Sequence, residues 1–307
     1  MTDEAILVTG LSGLIGGAVA RRLADAGRTV VGMDRVAPVN AHFPVVVHDL
    51  PDPQRWHEAI VRYGVCKVVH AGGISGPMLL QDAPARLCDI NIGGLLGLLE
   101  AARIHRLERI VWFSSILAYG DRADLSPVTE DTPLRPNTIY GATKAGGEAL
   151  IEAFHAEHGV DAVSLRVASC YGPGRTTACL MRTLVEDGLD GKTTVVRDAS
   201  GRTRQHIFIG DVVDAVCAAL DAKTLTRRAY NIGPGIAQDL DDLAEAVRSA
   251  VPGTSVALRP DGLSWNTFGL GPLVIDAARR DLSFEPRTSL AEGAKRTRAW
   301  VEQRRAA

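Results

Sequence analysis

Through the first 170 residues, short apolar runs alternate with longer segments whose apolar residues recur every three or four positions. The apolar runs are Ile6–Thr9, Thr29–Met33, Val45–Val47, Lys67–His70, Arg109–Phe113 and Asp161–Arg166. Each is short and almost continuously hydrophobic, the pattern of strands in a parallel sheet covered by helices on both faces. Between the first two, Ile15, Val19 and Leu23 fall every four residues, Arg21, Arg22 and Asp25 fall elsewhere, and Gly27 ends the pattern. That predicts an amphipathic helix and a complete βαβ unit. Its repetition predicts an α/β fold built on a doubly wound parallel sheet.

After Arg166 the rhythm loosens into the Gly/Pro/polar stretch Cys170–Thr177. Helical patterns follow near Leu180–Leu189, Asp211–Ala222, Leu240–Val251 and Leu290–Gln303, with an isolated strand at Ala229–Ile232. The expected organisation is a nucleotide-binding domain over residues 1–166 plus roughly 207–228. A smaller mixed α/β C-terminal lobe over 167–206 and 229–307 is expected to bind substrate. A small-molecule ligand belongs by default in the cleft between lobes.

Composition narrows the possibilities. The chain has 34 Lys+Arg against 36 Asp+Glu and a formal charge of −2, which argues against a surface for nucleic acid or for a membrane. Five cysteines (Cys66, Cys88, Cys170, Cys179, Cys217) include no CxxC pair, so reduced thiols, a cytoplasmic setting and no metal site are expected. The start of the chain runs directly into Ala5-Ile6-Leu7-Val8 with no basic leader, consistent with that setting.

The 31 glycines point to close backbone approaches, and three of them carry a specific chemistry. Gly10, Gly13 and Gly16 lie in Thr9-Gly10-Leu11-Ser12-Gly13-Leu14-Ile15-Gly16, between the first strand and the first helix. In that context they permit a tight turn, backbone approach to a pyrophosphate and close helix–sheet packing, so a dinucleotide is expected on a Rossmann sheet, with Leu14 and Ile15 beside it. Asp34 closes the second strand where an acid accepts from the adenosine ribose and repels a 2′-phosphate, favouring NAD over NADP. Neighbouring Arg35 speaks for the opposite choice. Asp49 and Leu50 follow the third strand and are candidates for the adenine edge.

Tyr140 and Lys144, in Tyr140-Gly141-Ala142-Thr143-Lys144, are four residues apart at the start of a helix running to about His158. They share one helical face. A phenol with an ordinary pKa near 10 becomes a usable base when cations beside it favour the phenolate. Ser115 ends the fifth strand, at the carboxyl edge where ligands bind in such sheets, and is placed to orient the reacting oxygen.

These motifs together resemble the extended short-chain dehydrogenase/reductase family, in its NAD-dependent sugar epimerase/dehydratase branch. The resemblance rests on TGLSGLIG (Thr9–Gly16), HAGG (His70–Gly73), NIGGLLGLLEA (Asn91–Ala101), SSILAYG (Ser114–Gly120), YGATK (Tyr140–Lys144), LRVASCYGPG (Leu165–Gly174) and YNIG (Tyr230–Gly233). It implies a Ser115, Tyr140, Lys144 triad, with Lys144 also on the nicotinamide ribose. It implies further cofactor contacts near Ala71, Gly72 and Asn91. It also implies a homodimer packed through helices, for which Leu95, Leu98, Leu99 and Ala102 are candidates, although the same positions suit an intramolecular core.

Departures from the family pattern leave the substrate open. Ile116 and Leu117 stand where related dehydratases carry an Asp-Glu pair, so elimination of water lacks its acid and base. Ser169 replaces an asparagine that in relatives reaches the sugar-phosphate portion. Arg204 matches a diphosphate-clamping arginine, Arg259 only approximates a second, and Arg175 sits in a polar loop suited to an acid or phosphate. Trp265 and Phe268 are candidates for stacking on a base. The leading expectation is an enzyme that oxidises a secondary hydroxyl of a sugar or sugar nucleotide, in the manner of a UDP-sugar 4-epimerase. A dehydrogenase or reductase of a free sugar, sugar acid or small hydroxy acid is the alternative. A non-catalytic nucleotide-sensing regulator is the third reading, and the intact proton-transfer residues speak against it.

Overall fold

Alternation within a single strand decides how the sheet is covered. In Ala5–Thr9 (β1), Ile6 and Val8 join one apolar cluster and Ala5 and Leu7 another, and all four are buried. Burial on both faces suits a central strand. In the structure, a computed structural model describing residues 4–38, 41–197, 203–264 and 269–306, that strand lies between Val30–Asp34 (β2) and Val65–His70 (β4). Val45–Val47 (β3) extends one edge. Arg109–Ser115 (β5), Ala162–Val167 (β6) and Ala229–Ile232 (β10) extend the other. The seven strands run in the order β10-β6-β5-β4-β1-β2-β3, all pairings parallel. The order reverses between β1 and β4, which opens a crevice at their carboxyl ends.

On one face of the sheet Leu14–Asp25 (α1) packs beside Ile209–Asp221 (α7). Gln54–Tyr63 (α2), Gly94–His105 (α4) and Ile139–His158 (α5) cover the other. Pro84–Cys88 (α3) runs through a π-helical turn, Asp89–Gly93, into α4. Leu95, Leu98, Leu99 and Ala102 are at most 2 % exposed inside this layer, so the face considered for a dimer is intramolecular core. Among the described residues no helix is long and apolar enough to cross a membrane, and all five cysteines are unpaired.

Beyond β6 the chain builds the smaller lobe. Ser169–Tyr171 (β7) pairs with His206–Phe208 (β9), and Thr193–Val196 (β8) pairs with Ser255–Leu258 (β11). Leu180–Leu189 (α6), Leu240–Ala250 (α8) and Leu290–Ala306 (α10) pack together, while Asp276–Leu282 (α9) lies against β10. One boundary differs from the sequence expectation. Residues 229–232 are the edge strand of the large sheet, not part of the smaller lobe, because Tyr230 and Ile232 are fully buried in register with Leu165 and Val167.

A buried ion pair ties α5 to the large sheet. Arg166 on β6 donates to both carboxylate oxygens of Glu148 on α5, at 2.6 to 3.0 Å, and to the Tyr119 hydroxyl at 2.7 Å. Ser114 donates to the same carboxylate, and Tyr119 donates to Asn231 Oδ1 on β10 at 2.6 Å. Replacing Arg166 by Met strands the Glu148 charge, and the expected loss is about 3–5 kcal/mol of unfolding free energy. Adding Glu148→Gln to Arg166→Met should recover part of it, measured by denaturant unfolding.

Candidate active site

The site begins where β1 and β4 diverge. Gly10 has φ +73°, and a Cβ there would lie 2.6 Å from the Ala71 carbonyl oxygen, so only glycine lets the two strand ends approach this closely. The turn leads into α1, whose N-cap Gly13 supplies no side-chain hydrogen bond. First-turn amides of a helix lack intrahelical partners, and the first-turn residues Leu14, Ile15 and Gly16 line the cleft. An uncapped helix end on a glycine turn fits a dinucleotide pyrophosphate.

The cleft holds about 430 Å³ and runs from this turn to the ends of β5 and β6. Asp34 lines it and accepts from the Ser12 amide at 2.8 Å, tying the glycine turn to the end of β2. Arg35 is exposed at the mouth, and Asp49 and Leu50 continue the same wall. Two histidines to which the sequence assigns no chemical role, His48 and His70, also line it. Thr9 Oγ1 accepts from the Gly72 amide at 2.8 Å and lies 2.8 Å from His70 Nδ1, an arrangement that lets the hydroxyl donate to a neutral ring. Burial pushes His70 down to about 3. His48 is buried edge-on to Trp56, which is itself edge-on to His70. Burial lowers the His48 pKa as well.

At the far end, α5 presents Tyr140 and Lys144 beneath the end of β5. Thr138 caps the helix by accepting from the Gly141 amide at 3.0 Å. Lys144 Nζ donates to the Phe113 carbonyl at 2.8 Å and lies 4.6 Å from the centre of the Trp112 ring. Gly147 permits this seating, since a Cβ there would be 2.4 Å from the Trp112 ring. Burial pushes the Tyr140 phenol up to about 12, opposed by a hydrogen bond with Ser115 and by the charge of Arg175. Burial pushes the Lys144 ammonium down to about 7, opposed by the Glu148 carboxylate.

Ser115, Tyr140 and Lys144 therefore meet on the wall of one cleft that also contains Gly10, Gly13, Leu14, Ile15, Gly16, Asp34, Arg35, Asp49, Leu50, Ala71 and Gly72. Ser169, Arg175 and Arg204 line its other side, with Arg204 Nε donating to Ser169 Oγ at 2.6 Å. Asn91 corrects the expectation of a cofactor contact. It does not line the cleft, because its carboxamide bonds the Ile74 amide at 2.8 Å, the Ile74 carbonyl at 3.2 Å and Thr143 Oγ1 at 3.1 Å. It holds the loop after β4 against α5. Arg259 is exposed and paired with Asp261 at 3.5 Å, away from the lining. Trp265 and Phe268 lie outside the described residues.

A doubly wound sheet with an uncapped helix at its switch point and a Ser, Tyr, Lys cluster at the end of β5 defines an enzyme of the extended short-chain dehydrogenase/reductase type. Residues 6–233 match the family model described as the NAD-dependent epimerase/dehydratase family, and the chain belongs to that family. It is 28 % identical over 310 residues to the UDP-glucose 4-epimerase of Mycolicibacterium smegmatis, covering 95 % of this chain and 96 % of the relative. A UDP-glucose 4-epimerase with UDP-glucose from Thermotoga maritima superposes with TM-score 0.87 at 24 % identity, covering 98 % of this chain and 99 % of that one. The holo form of an L-threonine dehydrogenase from Cupriavidus necator also gives 0.87 at 24 % identity, over 96 % of this chain and 99 % of that one. At this identity the solved structures establish the fold.

His70 and His206 are both pushed down to about 3 by burial, against about 6.5 in an unfolded chain. Below pH 6.5 the unfolded chain takes up protons that the folded one refuses, so stability falls as pH drops from 6.5 toward 3. His70→Gln is expected to reduce the slope of unfolding free energy against pH in that window by one proton. Denaturant titrations at several pH values check it.

Proposed function

We propose that the protein uses NAD to oxidise a secondary hydroxyl of a sugar or sugar nucleotide, with Ser115, Tyr140 and Lys144 as the reacting-site residues. The observation that carries this reading is their convergence at the carboxyl end of β5, on the same cleft as the glycine turn. NAD, when bound, supplies the hydride acceptor. The protein's part is to hold the alcohol and move its proton. Ser115 hydrogen-bonds the substrate oxygen and the Tyr140 hydroxyl. Tyr140, as phenolate, takes the hydroxyl proton. Lys144, fixed by the Phe113 carbonyl, holds positive charge beside the phenol and favours that phenolate. Burial favours the neutral phenol, so a phenolate at this position calls for a cation beside it.

Return of hydride to the other face of a retained ketone gives net epimerisation, the leading outcome by analogy with the UDP-glucose 4-epimerase relatives. Release of the ketone gives a dehydrogenase. Elimination of water is not part of the proposal, because Ile116 and Leu117 offer neither acid nor base next to Ser115. The same reading includes a homodimer, whose contacts must come from exposed positions such as Leu96, Ala142 and Ala149. Asp34 supports NAD over NADP by placing a carboxylate where a 2′-phosphate would sit.

Tyr140→Phe is expected to lower kcat by about 100-fold or more with NAD affinity retained, and full turnover would sink the proposal. Lys144→Met should move the acid limb of the kcat/KM profile, set by deprotonation of Tyr140, to higher pH, because the cation that favours the phenolate is gone. Asp34→Ser should narrow the preference for NAD, read as the ratio of Kd values for the two dinucleotides.

A further inference from the structure

Charge is distributed unevenly along the cleft. Among its described lining residues the carboxylates are Asp34 and Asp49, both at the end that carries the glycine turn. The end beside Ser115 carries Arg175 and Arg204, with the hydroxyls of Ser169, Thr176 and Thr177 between and around them. That end is cationic and rich in donors, and it lies on the loop between β7 and α6 and on the segment entering β9.

Arg175 is built into place. One terminal nitrogen of its guanidinium donates to the Cys170 carbonyl, and the other donates to the Ala178 carbonyl at 3.1 Å. Its Nε is buried with no hydrogen-bond partner among the described residues, and the ion pairs formed among them include none to Arg175. Main-chain carbonyls orient the guanidinium without neutralising it. A held, partly desolvated charge without a counter-ion is costly, and an arriving anion relieves that cost with charge-assisted hydrogen bonds.

Position then selects the kind of anion. Arg175 is bonded to Cys170, three residues beyond Val167, which pairs with Ser115 across the sheet. Tyr140 lines the same stretch of the cleft, so a ligand group held by Arg175 lies on the side of the cleft where the reacting carbinol sits. In a sugar nucleotide the diphosphate is attached at C1, across the ring from a C4 hydroxyl, which makes it a poor match for that position. A carboxylate on a carbon next to the carbinol, or one further along, matches it. Resting on the proposed oxidation of a secondary hydroxyl, we infer that the substrate is a hydroxy acid unit whose carboxylate Arg175 binds, as in a uronic acid, an aldonic acid or a smaller hydroxy acid. Arg175 is then a specificity-determining residue, and Arg204, fixed on Ser169 Oγ, supports the same anionic end.

The test compares substrates that differ only in a carboxylate replacing CH₂OH, such as UDP-glucuronate against UDP-glucose and aldonates against the corresponding alditols. NAD-dependent turnover is followed for each, with thermal stabilisation by the same compounds in the presence of NADH as a second readout. The wild-type protein should favour the acid of a pair by at least about 100-fold in kcat/KM. Arg175→Gln should erase that ratio chiefly through KM, and Arg175→Lys should keep part of it. Equal use of the neutral partners, equal loss on both in Arg175→Gln, or the lack of both turnover and acid-specific stabilisation across the panel overturns the inference. A loss of NAD affinity above about tenfold in Arg175→Gln assigns the guanidinium to the cofactor pyrophosphate and overturns it too. Full turnover by Tyr140→Phe would instead defeat the oxidation reading, so the two failures are distinguishable.

Discussion

The Glu148–Arg166 pair sets the rotation of α5, and the rest of the site depends on that rotation. Tyr140, Lys144 and Glu148 are spaced by four residues on one face of the helix. Apolar packing alone tolerates small slips about a helix axis. A carboxylate gripped by a guanidinium and a serine hydroxyl inside the sheet does not. With Glu148 pinned, Lys144 falls against the Phe113 carbonyl and Tyr140 against Ser115. The ion pair is weak evidence for stability, since its desolvation offsets much of its attraction. Its effect here is geometric.

That geometry explains the opposed behaviour of two neighbours on one helix. The same burial drives the phenol toward its neutral form and the ammonium toward its neutral form. Glu148 beneath and the serine and arginine around the phenol work against burial. The balance leaves the pair responsive to charge entering the cleft.

Much of this was legible in the chain. Strands buried on both faces announce themselves as unbroken apolar runs, and β1 to β6 lie within a residue or two of their expected limits. The glycine turn and the Tyr-Gly-Ala-Thr-Lys segment carry their chemistry in local spacing, so their meeting on one cleft was foreseeable. Other features depend on distant partners and left no local mark. β7, β8, β9 and β11 are three or four residues each and pair only across long excursions. β10 reads as a strand, but its sheet is decided by β6. His48, His70 and Trp56 stack only after α2 docks on β4. Asn91 looks like a ligand residue until the loop at Ile74 takes its donors and acceptor. For His70 and Gly147 a signal existed, the position at a strand end facing the switch point and a glycine inside a long helix, respectively.

The edge position of β10 bears on the order in which the chain assembles. As the protein is synthesised, β6 emerges and the chain then leaves the sheet for more than 60 residues before its neighbour arrives. Until then β6 presents an open backbone edge, the kind of surface that pairs with the wrong chain. The smaller lobe is likewise unfinished until α10 reaches α6 and α8. The two lobes are interlocked in time, and folding in vivo is expected to be slower and more exposed to aggregation than their separate sizes suggest.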